Sequence, residues 1–364
     1  MADISEALVG RRVFMTGHTG FTGSWLALWL TEIGCEVTGY ALAPETTPNL
    51  FDESGIRERL RAHDVGDIRD LQALRASMER AAPSVVVHLA AQPLVRRSYR
   101  DPLDTVSTNV VGTVSVLEAA RQTDSVEAFV CVTSDKVYEN REWVHPYRET
   151  DRFGGRDPYS ASKACAELMT RTYQETLARL GNDMRIATAR GGNIIGGGDW
   201  SEDRIIPDFF RALVSGERLK LRNPGAVRPW QHVLSACHGY LAIAAHLLSH
   251  GAGRTESWNI GPGSTDWITV EQLIHMLSEA CGSPGVDYEP SPLEEAHTLL
   301  LDTMKAKHEL GLLPAWPGRQ AIEQTAVWYQ RYYARQQDPL AICLEQLRAY
   351  RSAIGGTQRE GIHT

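Results

Sequence analysis

The start of the chain combines an apolar segment, a glycine-rich loop and a helical pattern in an order typical of parallel sheets. Arg12–Thr16 predicts a buried strand, and the apolar pattern of Ser24–Glu32 predicts a helix. Between them, Gly17-His18-Thr19-Gly20-Phe21-Thr22-Gly23 allows a tight turn at the positive end of that helix, where backbone N–H groups can approach a pyrophosphate. This context predicts a dinucleotide-binding domain, and the alternative is a glycine-rich turn without a ligand.

The strand predicted after this helix, Glu36–Tyr40, continues as Tyr40-Ala41-Leu42. It lacks the acidic residue that usually binds the adenosine ribose at this point. No arginine that could bind a 2′-phosphate lies between this strand and Arg57, so the sequence favours NAD over NADP. We expect Glu45 to reach the ribose only if its loop folds back.

Later apolar segments predict three more strands, at Arg61–Val65, Ser84–Leu89 and Ala128–Val132. Strands that alternate with helical patterns in this way predict an α/β fold with a doubly wound parallel Rossmann sheet. We expect residues 1–190 to form the NAD-binding Rossmann domain and residues 191–364 to form a smaller C-terminal α/β domain that binds the substrate. Some segments of the second part, such as Val233–Ser249, should pack back on the sheet.

Two short motifs place reactive side chains where parallel sheets bind their ligands. Thr133-Ser134-Asp135-Lys136 follows a predicted strand, and Tyr159-Ser160-Ala161-Ser162-Lys163 begins a helical pattern. Tyr159 and Lys163 share one helix face, where the ammonium charge favours ionisation of the phenol. Hydride transfer needs only this pair, so Asp135 and Lys136 indicate a second proton transfer on the same substrate. Either motif alone would more often be a cap and a surface charge.

The overall charge and the apolar pattern limit the class of protein. The 364-residue chain has a net charge of −8 and a pI near 5.9, which argues against binding to nucleic acid or to a membrane surface. The sequence has no apolar run of about 20 residues and no signal-peptide pattern, so we expect a cytoplasmic protein. Its six cysteines lack Cys-x-x-Cys spacing, which predicts free thiols and no metal site.

Several longer motifs are specific enough to indicate a family. Besides the motifs above, they are Gly66-Asp67-Ile68-Arg69-Asp70, Ala90-Ala91-Gln92-Pro93-Leu94-Val95-Arg96, Asn140-Arg141-Glu142-Trp143, the block from Gly191 to Trp200, and Arg228-Pro229-Trp230-Gln231-His232-Val233. From about Arg11 to about Tyr333 the chain resembles the extended short-chain dehydrogenase/reductase family of nucleotide-sugar epimerases and dehydratases. Lys136 narrows the resemblance to the CDP-glucose 4,6-dehydratase branch, because related dTDP-glucose and GDP-mannose dehydratases have glutamate there.

The resemblance implies dehydration of CDP-D-glucose to CDP-4-dehydro-6-deoxy-D-glucose, with NAD reduced and reoxidised in each turnover. Tyr159 would take the proton of the sugar 4-hydroxyl, Lys163 would hold the cofactor ribose, and Ser134 would bind the 4-oxygen. Lys136, as a neutral amine, would then remove the C5 proton, while Asp135 would protonate the departing 6-hydroxyl. Hydride would finally return to C6. Such a reaction belongs to deoxysugar biosynthesis, for example that of lipopolysaccharide O-antigen.

The resemblance also implies binding residues and an oligomeric state. The helices expected at 102–121 and 159–180 resemble those that form an intersubunit four-helix bundle in this family, which predicts a homodimer. Arg228 matches the arginine that binds the diphosphate, and Asn193 matches an asparagine that contacts the diphosphate or the sugar. The implied cofactor-binding residues are Gly17, His18, Thr19, Gly20, Phe21, Thr22, Gly23, Asp67, Ile68, Leu89, Ala90, Ala91, Gln92, Asn109, Thr133, Tyr159 and Lys163. The implied substrate-binding residues are Gln92, Ser134, Asn193, Arg204, Ile206, Pro207, Lys220, Arg228 and His297.

Other functions stay open at this point. A nucleotide-sugar epimerase or reductase would share Tyr159 and Lys163 but would not need the Asp135-Lys136 pair. A dehydratase for another nucleotide-hexose would keep all of these residues, and a non-catalytic protein that senses its cofactor is a third alternative. Gly192 stands where the family usually has alanine, and Thr298 stands where it usually has tyrosine. Both departures bear on substrate preference more than on reaction type.

Overall fold

The computed structural model of the chain describes residues 4–249, 256–263, 266–289 and 296–360. A single turn of 3-10 helix at Asp135–Val137 and a π-helical segment at Ser107–Gly112 interrupt the regular elements. The helices in these ranges are α1 Ile4–Leu8, α2 Phe21–Glu32, α3 Leu50–Glu53, α4 Leu71–Ala81, α5 Val95–Arg100, α6 Pro102–Val106, α7 Thr113–Arg121, α8 Pro158–Arg179, α9 Ile205–Ser215, α10 Val233–Ser249, α11 Val270–Cys281, α12 Met304–Leu310, α13 Gly318–Tyr333 and α14 Pro339–Glu360.

Seven strands form one parallel sheet in the order β11-β6-β5-β4-β1-β2-β3. Three two-stranded sheets pair β10 with β7, β12 with β9, and β13 with β8. The strands of the described ranges are β1 Arg12–Thr16, β2 Glu36–Ala41, β3 Ala62–Val65, β4 Val85–His88, β5 Ala128–Val132, β6 Arg185–Gly191, β7 Ile194–Ile195, β8 Leu219–Leu221, β9 Val227–Pro229, β10 Gln231–His232, β11 Glu256–Ile260, β12 Trp267–Thr269 and β13 Val286–Tyr288.

This topology confirms the predicted doubly wound α/β fold. The strand order reverses between β1 and β4, which is where open α/β sheets bind ligands at the carboxyl ends of their strands. The predicted bounds of β1, β5 and α10 match the structure, those of β2 and β3 differ by one residue at one end, and those of β4 differ by one residue at each end. The glycine loop and the motif after β5 therefore lie at the same edge of the sheet.

The central strands are apolar without interruption because helices cover both faces of the sheet. Val13 and Met15 on β1 belong to the same core cluster as Trp25 on α2. Phe14, between them, points to the opposite face and packs in a second cluster with Phe129 of β5. Two buried faces therefore leave no alternating polar positions along β1, as is typical of parallel sheets.

Helix α2 begins at Phe21, three residues before the predicted start at Ser24. The backbone of Gly20 is extended, and the Ser24 N–H donates to the Gly20 carbonyl at 2.8 Å, so the first helical turn already includes Gly23. A Cβ atom on Gly23 would lie 2.1 Å from the Gly17 carbonyl oxygen. The loop can fold back onto the helix only because this position is glycine.

The C-terminal half of the chain contributes to the central sheet. Strand β11 pairs with β6, and α10 packs against α2, β5 and β6. Trp258 of β11 and Tyr240 of α10 share the core cluster that contains Trp25. The expected packing of C-terminal segments on the sheet is confirmed, and a domain boundary near residue 190 stays a prediction.

The cysteines are free thiols, as predicted. Cys35, Cys131, Cys237 and Cys343 are buried, and Cys165 is exposed. Within the described ranges, no helix combines the length and the apolar character of a membrane span.

Candidate active site

A cleft of about 1080 Å³ opens along the carboxyl ends of β1, β4, β5 and β6. Its opposite wall is formed by α9 and by the segments around β8 and β9. The predicted residues that line it are Gly17, Thr19, Gly20, Phe21, Thr22, Gly23, Asp67, Ile68, Leu89, Ala90, Ala91, Thr133, Ser134, Asp135, Lys136, Tyr159, Lys163, Asn193, Arg204, Ile206, Pro207, Lys220 and Arg228. Four predicted residues do not belong to the cleft wall: His18, Gln92, Asn109 and His297.

The glycine loop forms a cradle that side chains would fill. Gly17 has a positive φ of 76°, and a Cβ atom there would lie 2.7 Å from the backbone nitrogen of Ala90. Gly20 caps the N-terminus of α2, where backbone N–H groups and the helix dipole favour an anion. The geometry of this loop therefore fits the pyrophosphate of a dinucleotide.

His18 lies behind the loop and does not reach the cleft. Its side chain is fully buried against Gly39 of β2, and its Nε2 atom lies 2.7 Å from Nδ1 of His63. Burial, together with His63, lowers the pKa of His18 to about 3, so the ring is neutral at physiological pH. The ring fills the space between the loop and the sheet, and the role of His18 in cofactor binding stays a prediction.

Several side chains in the wall where the adenosine would bind already have partners within the protein. Asp67 forms an ion pair with Arg69 at 2.6 Å, and the Arg69 hydrogen bond lowers the pKa of Asp67. Ile68 is buried against Gly112, where a Cβ atom would lie 2.5 Å from its Cδ1. Glu45 does reach the cleft wall, but its carboxylate accepts from Arg97 at 3.1 Å.

The side chains of Gln92 and Asn109 hold the backbone beside the cleft. The Gln92 side chain bonds the N–H and C=O groups of Leu94 and the Thr105 hydroxyl. Asn109 accepts from the Gln92 N–H at 2.8 Å and donates to its carbonyl at 3.1 Å. These buried amides fix the segment that follows β4, and the binding roles of Gln92 and Asn109 stay predictions.

The start of α8 positions Tyr159 and Lys163. Asp157 caps the helix by accepting from the Ser160 N–H, and Pro158 occupies the first turn. The Tyr159 N–H donates to the Ser98 hydroxyl at 3.2 Å, and Lys163 Nζ donates to the Val132 carbonyl at 3.4 Å. The cap therefore directs both side chains toward the end of β5.

Burial raises the pKa of Tyr159 to about 12, while a hydrogen bond with Ser134 and the charge of Arg204 act in the opposite direction. Burial also lowers the pKa of Lys163. That the Lys163 ammonium lowers the pKa of Tyr159 stays a prediction. In the structure, Ser134 and Arg204 are the groups that favour the phenolate.

The motif after β5 continues into a single 3-10 turn at Asp135–Val137. The residues Ser134, Asp135 and Lys136 line the cleft. Ser134 caps this turn by accepting from the Lys136 N–H at 3.2 Å, and its hydroxyl donates to Asp135 Oδ1 at 3.0 Å. The Asn193 amide donates to Asp135 Oδ2 at 3.0 Å. A buried carboxyl and a partly buried amine thus line the cleft close to a buried phenol, which suits acid and base catalysis.

A buried polar network lies behind these residues. Glu167 of α8 forms a buried ion pair with Arg190 of β6 at 2.8 Å and accepts from Thr188 at 2.9 Å. The Thr133 hydroxyl also donates to Glu167, so it points away from the cleft although Thr133 lines it. This network fixes α8 to the ends of β5 and β6.

The cationic side chains of the substrate wall have internal partners. Arg204 donates to Asp199 at 3.4 Å, and Lys220 pairs with Glu289 at 3.0 Å on the exposed rim. Arg228 donates to the carbonyls of Val227 and His297 at 2.9 and 3.0 Å. A diphosphate on this wall would therefore compete with backbone carbonyls for the Arg228 guanidinium.

His297 lies outside the cleft because its backbone is paired with the substrate wall from behind. Its carbonyl accepts from the Val227 N–H at 2.9 Å, and its N–H donates to Glu142 at 3.0 Å. The imidazole is exposed and approaches Gly225, where a Cβ atom would lie 3.7 Å from Nε2. The role of His297 in substrate binding stays a prediction.

Comparison with known proteins agrees with this geometry. The model of the protein family described as GDP-mannose 4,6 dehydratase matches residues 14–325. The chain belongs to this dehydratase family. It is 44% identical over 351 residues to CDP-glucose 4,6-dehydratase of Salmonella typhimurium, covering 94% of this chain and 97% of the relative. It is 33% identical over 330 residues to dTDP-glucose 4,6-dehydratase of Streptomyces griseus, covering 88% and 94%.

Solved structures of the dehydratase family share the fold. A double mutant of DesIV, the dTDP-glucose 4,6-dehydratase of Streptomyces venezuelae, was solved with NAD bound. It superposes with a TM-score of 0.77 at 27% identity, over 88% of this chain and 98% of that chain.

This member of the dehydratase family has further cleft residues that the sequence analysis did not assign to binding. Asp203, at a positive φ of 57°, pairs with Arg222 at 2.5 Å and approaches Arg96 at 4.0 Å. The position of Arg96 at the end of one of the family motifs was a sequence signal for a role in binding. No sequence feature near Arg222 gave such a signal. Other such residues of the wall are Asp199, Trp200, Arg211 and Asn223.

Proposed function

We propose that this chain is an NAD-dependent CDP-glucose 4,6-dehydratase, a hydro-lyase that converts CDP-D-glucose to CDP-4-dehydro-6-deoxy-D-glucose and water. The observation that carries the proposal is the position of Asp135 and Lys136, which follow β5 and line the same cleft as Tyr159 and Lys163. An oxidoreductase needs only the second pair, whereas a dehydratase needs an additional acid and base.

The glycine cradle and the walls around it would hold the cofactor. Gly17, Gly20 and Gly23 would accommodate its pyrophosphate, and Asp67 and Ile68 would flank its adenine. Lys163, which is buried beside the end of β5, would hold its ribose. Bound NAD supplies a hydride acceptor for C4 and then a hydride donor for C6.

Tyr159 and Ser134 would carry the oxidation step. The phenolate of Tyr159 takes the proton of the 4-hydroxyl, while Ser134, as donor and acceptor, holds the 4-oxygen. Burial opposes ionisation of Tyr159, and the positive charge of Arg204 on the opposite wall of the cleft favours it. The resulting C4 ketone acidifies the hydrogen at C5.

Lys136 and Asp135 would carry the elimination. Lys136, as a neutral amine, takes the C5 proton, and Asp135 gives a proton to the 6-oxygen, so that water leaves and a C5–C6 double bond forms. Hydride addition at C6 is then matched by return of the C5 proton from Lys136. Tyr159 retains the proton taken from the 4-hydroxyl and Asp135 has lost one, so proton transfer between them through solvent restores the starting state.

The nucleotide and the hexose are the finer part of this proposal. Support comes from the 44% identical relative, which is named for CDP-glucose, and from lysine at position 136. Purified protein should be incubated with CDP-glucose, UDP-glucose, dTDP-glucose and GDP-mannose, and the products measured by mass spectrometry. We expect loss of one water and the highest kcat/KM with CDP-glucose. Better turnover of a competitor would contradict the CDP assignment alone.

A nucleotide-sugar epimerase is the second candidate, because one would use the same Tyr159 and Lys163. Its product would have the same mass as its substrate. Formation of an isomer without loss of water from any of the four nucleotide sugars would therefore contradict the dehydratase proposal itself.

We also propose that the protein is a homodimer in the cytoplasm, where its product would enter deoxysugar biosynthesis, for example toward O-antigen. Support for the dimer is an exposed apolar surface on α6, the π-helical segment and α8. Leu103 is 82% exposed and Val111 is 54% exposed, and Val106 and Leu168 are also exposed. Sedimentation at micromolar concentration should give a dimer, and a monomer would contradict this proposal.

A further inference from the structure

The motif Asn140-Arg141-Glu142-Trp143 lies outside the cleft, yet its side chains bind the backbone behind the substrate wall. The exposed Glu142 carboxylate accepts from the His297 N–H at 3.0 Å and from the Thr298 N–H at 2.7 Å. The Asn140 amide donates to the Thr298 carbonyl at 3.1 Å. The motif therefore holds the backbone of two consecutive residues, and two of its three hydrogen bonds have a charged acceptor, which makes them the stronger kind.

The motif itself is fixed in an uncommon backbone conformation. Glu142 has a positive φ of 55°, which is rare for a residue other than glycine. Asn140 Oδ1 accepts from the Glu142 N–H at 3.0 Å and from the hydroxyl of buried Tyr147 at 3.1 Å. That hydroxyl in turn accepts from the Arg141 N–H at 2.6 Å. Strained residues persist where surrounding contacts hold them in this way, and they cluster at functional sites.

The other edge of the same backbone segment holds the Arg228 guanidinium. The carbonyls of Ala296 and His297 accept from Arg228, the second at 3.0 Å, and so does the carbonyl of Val227 at 2.9 Å. The His297 carbonyl also accepts from the Val227 N–H at 2.9 Å, which joins the segment to β9. Three carbonyls therefore fix the plane of a guanidinium that lines the cleft.

We infer that Glu142 is a positioning residue that orients Arg228 for the diphosphate of the substrate through the backbone of residues 296–298. A guanidinium with a fixed plane loses less conformational freedom when it binds a phosphate. The inference rests on the proposed dehydratase function, with Arg228 as the ligand of the diphosphate. It concerns binding and leaves the chemical steps unchanged, because Glu142 does not line the cleft.

The test compares Glu142→Gln with Glu139→Gln, which removes a charge three positions earlier. The Glu139 carboxylate pairs with Arg141 and Arg152, each at 3.5 Å, on the surface. In Glu142→Gln, the Kd of CDP from calorimetry and the KM for CDP-glucose should both rise about tenfold, as expected for one hydrogen bond to a charged group. The kcat and the single-turnover rate of NAD reduction should change less than about twofold. Glu139→Gln should match the wild type.

Arg228→Gln supplies a readout that a general structural role of Glu142 would not give. Adding Glu142→Gln to Arg228→Gln should weaken CDP binding by less than about twofold further, because the two changes remove one shared interaction. A further loss of about tenfold in the double variant would overturn the inference. So would an equal loss in Glu139→Gln. Tighter or unchanged CDP binding in Glu142→Gln would also overturn it, since the carbonyls would then only compete with the diphosphate for Arg228.

Asn140→Ala is the second variant and decides alone if Glu142→Gln does not fold. It removes the bond to the Thr298 carbonyl, so it should also weaken CDP binding, and again only while Arg228 is present. Unchanged CDP binding in this variant would then overturn the inference. If the wild type prefers another nucleotide sugar, the corresponding nucleoside diphosphate replaces CDP. Absence of water loss in the wild type with all four nucleotide sugars would instead contradict the proposed function, which the calorimetry does not depend on.

Discussion

Glu167 and Asp135 are acidic residues near the ends of neighbouring strands, and each is 2% exposed, but their partners differ. Glu167 pairs with the guanidinium of Arg190 and accepts from Thr133 and Thr188. In the part of the chain that the structure describes, Asp135 accepts from the neutral groups of Ser134 and Asn193, and it lines the cleft. The first arrangement places a cation beside a buried charge, whereas the second holds the carboxyl in place through neutral donors at the cleft.

The difference indicates that one group of residues stabilises the site and another takes part in the reaction. A buried ion pair with additional hydrogen bonds is costly to break, because the remaining charge loses its partner. A carboxyl held by neutral donors can gain or lose a proton at the cost of one hydrogen bond. Substitutions at the two centres should therefore have opposite consequences: those around Asp135 should change rates, and those around Glu167 should change stability.

The largest expected effect on the chemical side comes from Tyr159→Phe. The variant has no group to take the proton of the 4-hydroxyl, so neither reduced nicotinamide nor dehydrated product should form appreciably in single-turnover absorbance and mass spectrometry. The free energy of unfolding, measured in urea, should change little because the ring is retained. Substantial NAD reduction in this variant would assign the first base to another residue.

Lys136→Ala should stop the reaction at a later point. Tyr159 and Lys163 remain, so C4 oxidation should proceed and bound reduced nicotinamide should accumulate. Water loss should fall by roughly 10²–10⁴-fold, the contribution of a positioned base. In deuterated water, recovered substrate should contain no deuterium at C5. Near-normal exchange at C5 would make Lys136 an ordinary charge at a strand end.

On the supporting side, Arg190→Met should destabilise the fold by about 3–5 kcal/mol, because it leaves the Glu167 carboxylate buried without its cation. The turnover number of the folded fraction should change less than tenfold, since Arg190 does not line the cleft. Urea unfolding and kcat at low temperature measure the two quantities separately.

Arg218→Met is the control for Arg190→Met. Arg218 pairs with Asp287 on the surface, where both side chains are more than half exposed, and it should cost at most about 1 kcal/mol. A loss of activity in Arg190→Met that exceeds its loss of stability would show that the two centres are coupled and would break the comparison.

Local sequence predicted the supporting half of the site well. The strand bounds, the glycine cradle and the placement of residues 133–136 beside Tyr159 follow from apolar period, glycine spacing and the edge at which parallel strands end. These features depend on neighbours in the chain. The direction of the polar side chains does not, because it is set by contacts with residues that are distant in the sequence.

Gln92 and Arg228 show why those directions could not be predicted. Gln92 follows β4, where side chains often face a ligand. Its amide instead donates a hydrogen bond to Thr105 of α6 inside the protein. Arg228 meets carbonyls of residues almost seventy positions away, at 296 and 297. Gly192 was visible as a departure from the family, yet only the structure shows that it lies against the Asp135 carboxylate.

The smallest expected effect concerns a buried titratable group of the supporting core. His238 of α10 is buried beside Trp29 and Tyr350, and burial lowers its pKa to about 4. The unfolded chain, where histidine titrates near pH ~6.5, therefore binds more protons than the folded chain between these values. His238 stabilises the fold above pH ~6.5, and this contribution is lost as the pH falls toward 4.

His238→Phe keeps an aromatic ring in this place and removes the titration. Between pH 7 and 5.5 the wild type should lose about 1 kcal/mol more unfolding free energy than the variant, as expected for one histidine that is neutral when buried. Urea unfolding at both pH values measures the difference, and the absolute stability of the variant does not enter it. The ratio of kcat values at the two pH values should be the same in both proteins, because His238 lies outside the cleft. An equal loss of stability in both proteins would mean that His238 is already protonated in the folded state, and a changed kcat ratio would place it among the groups that support the chemistry.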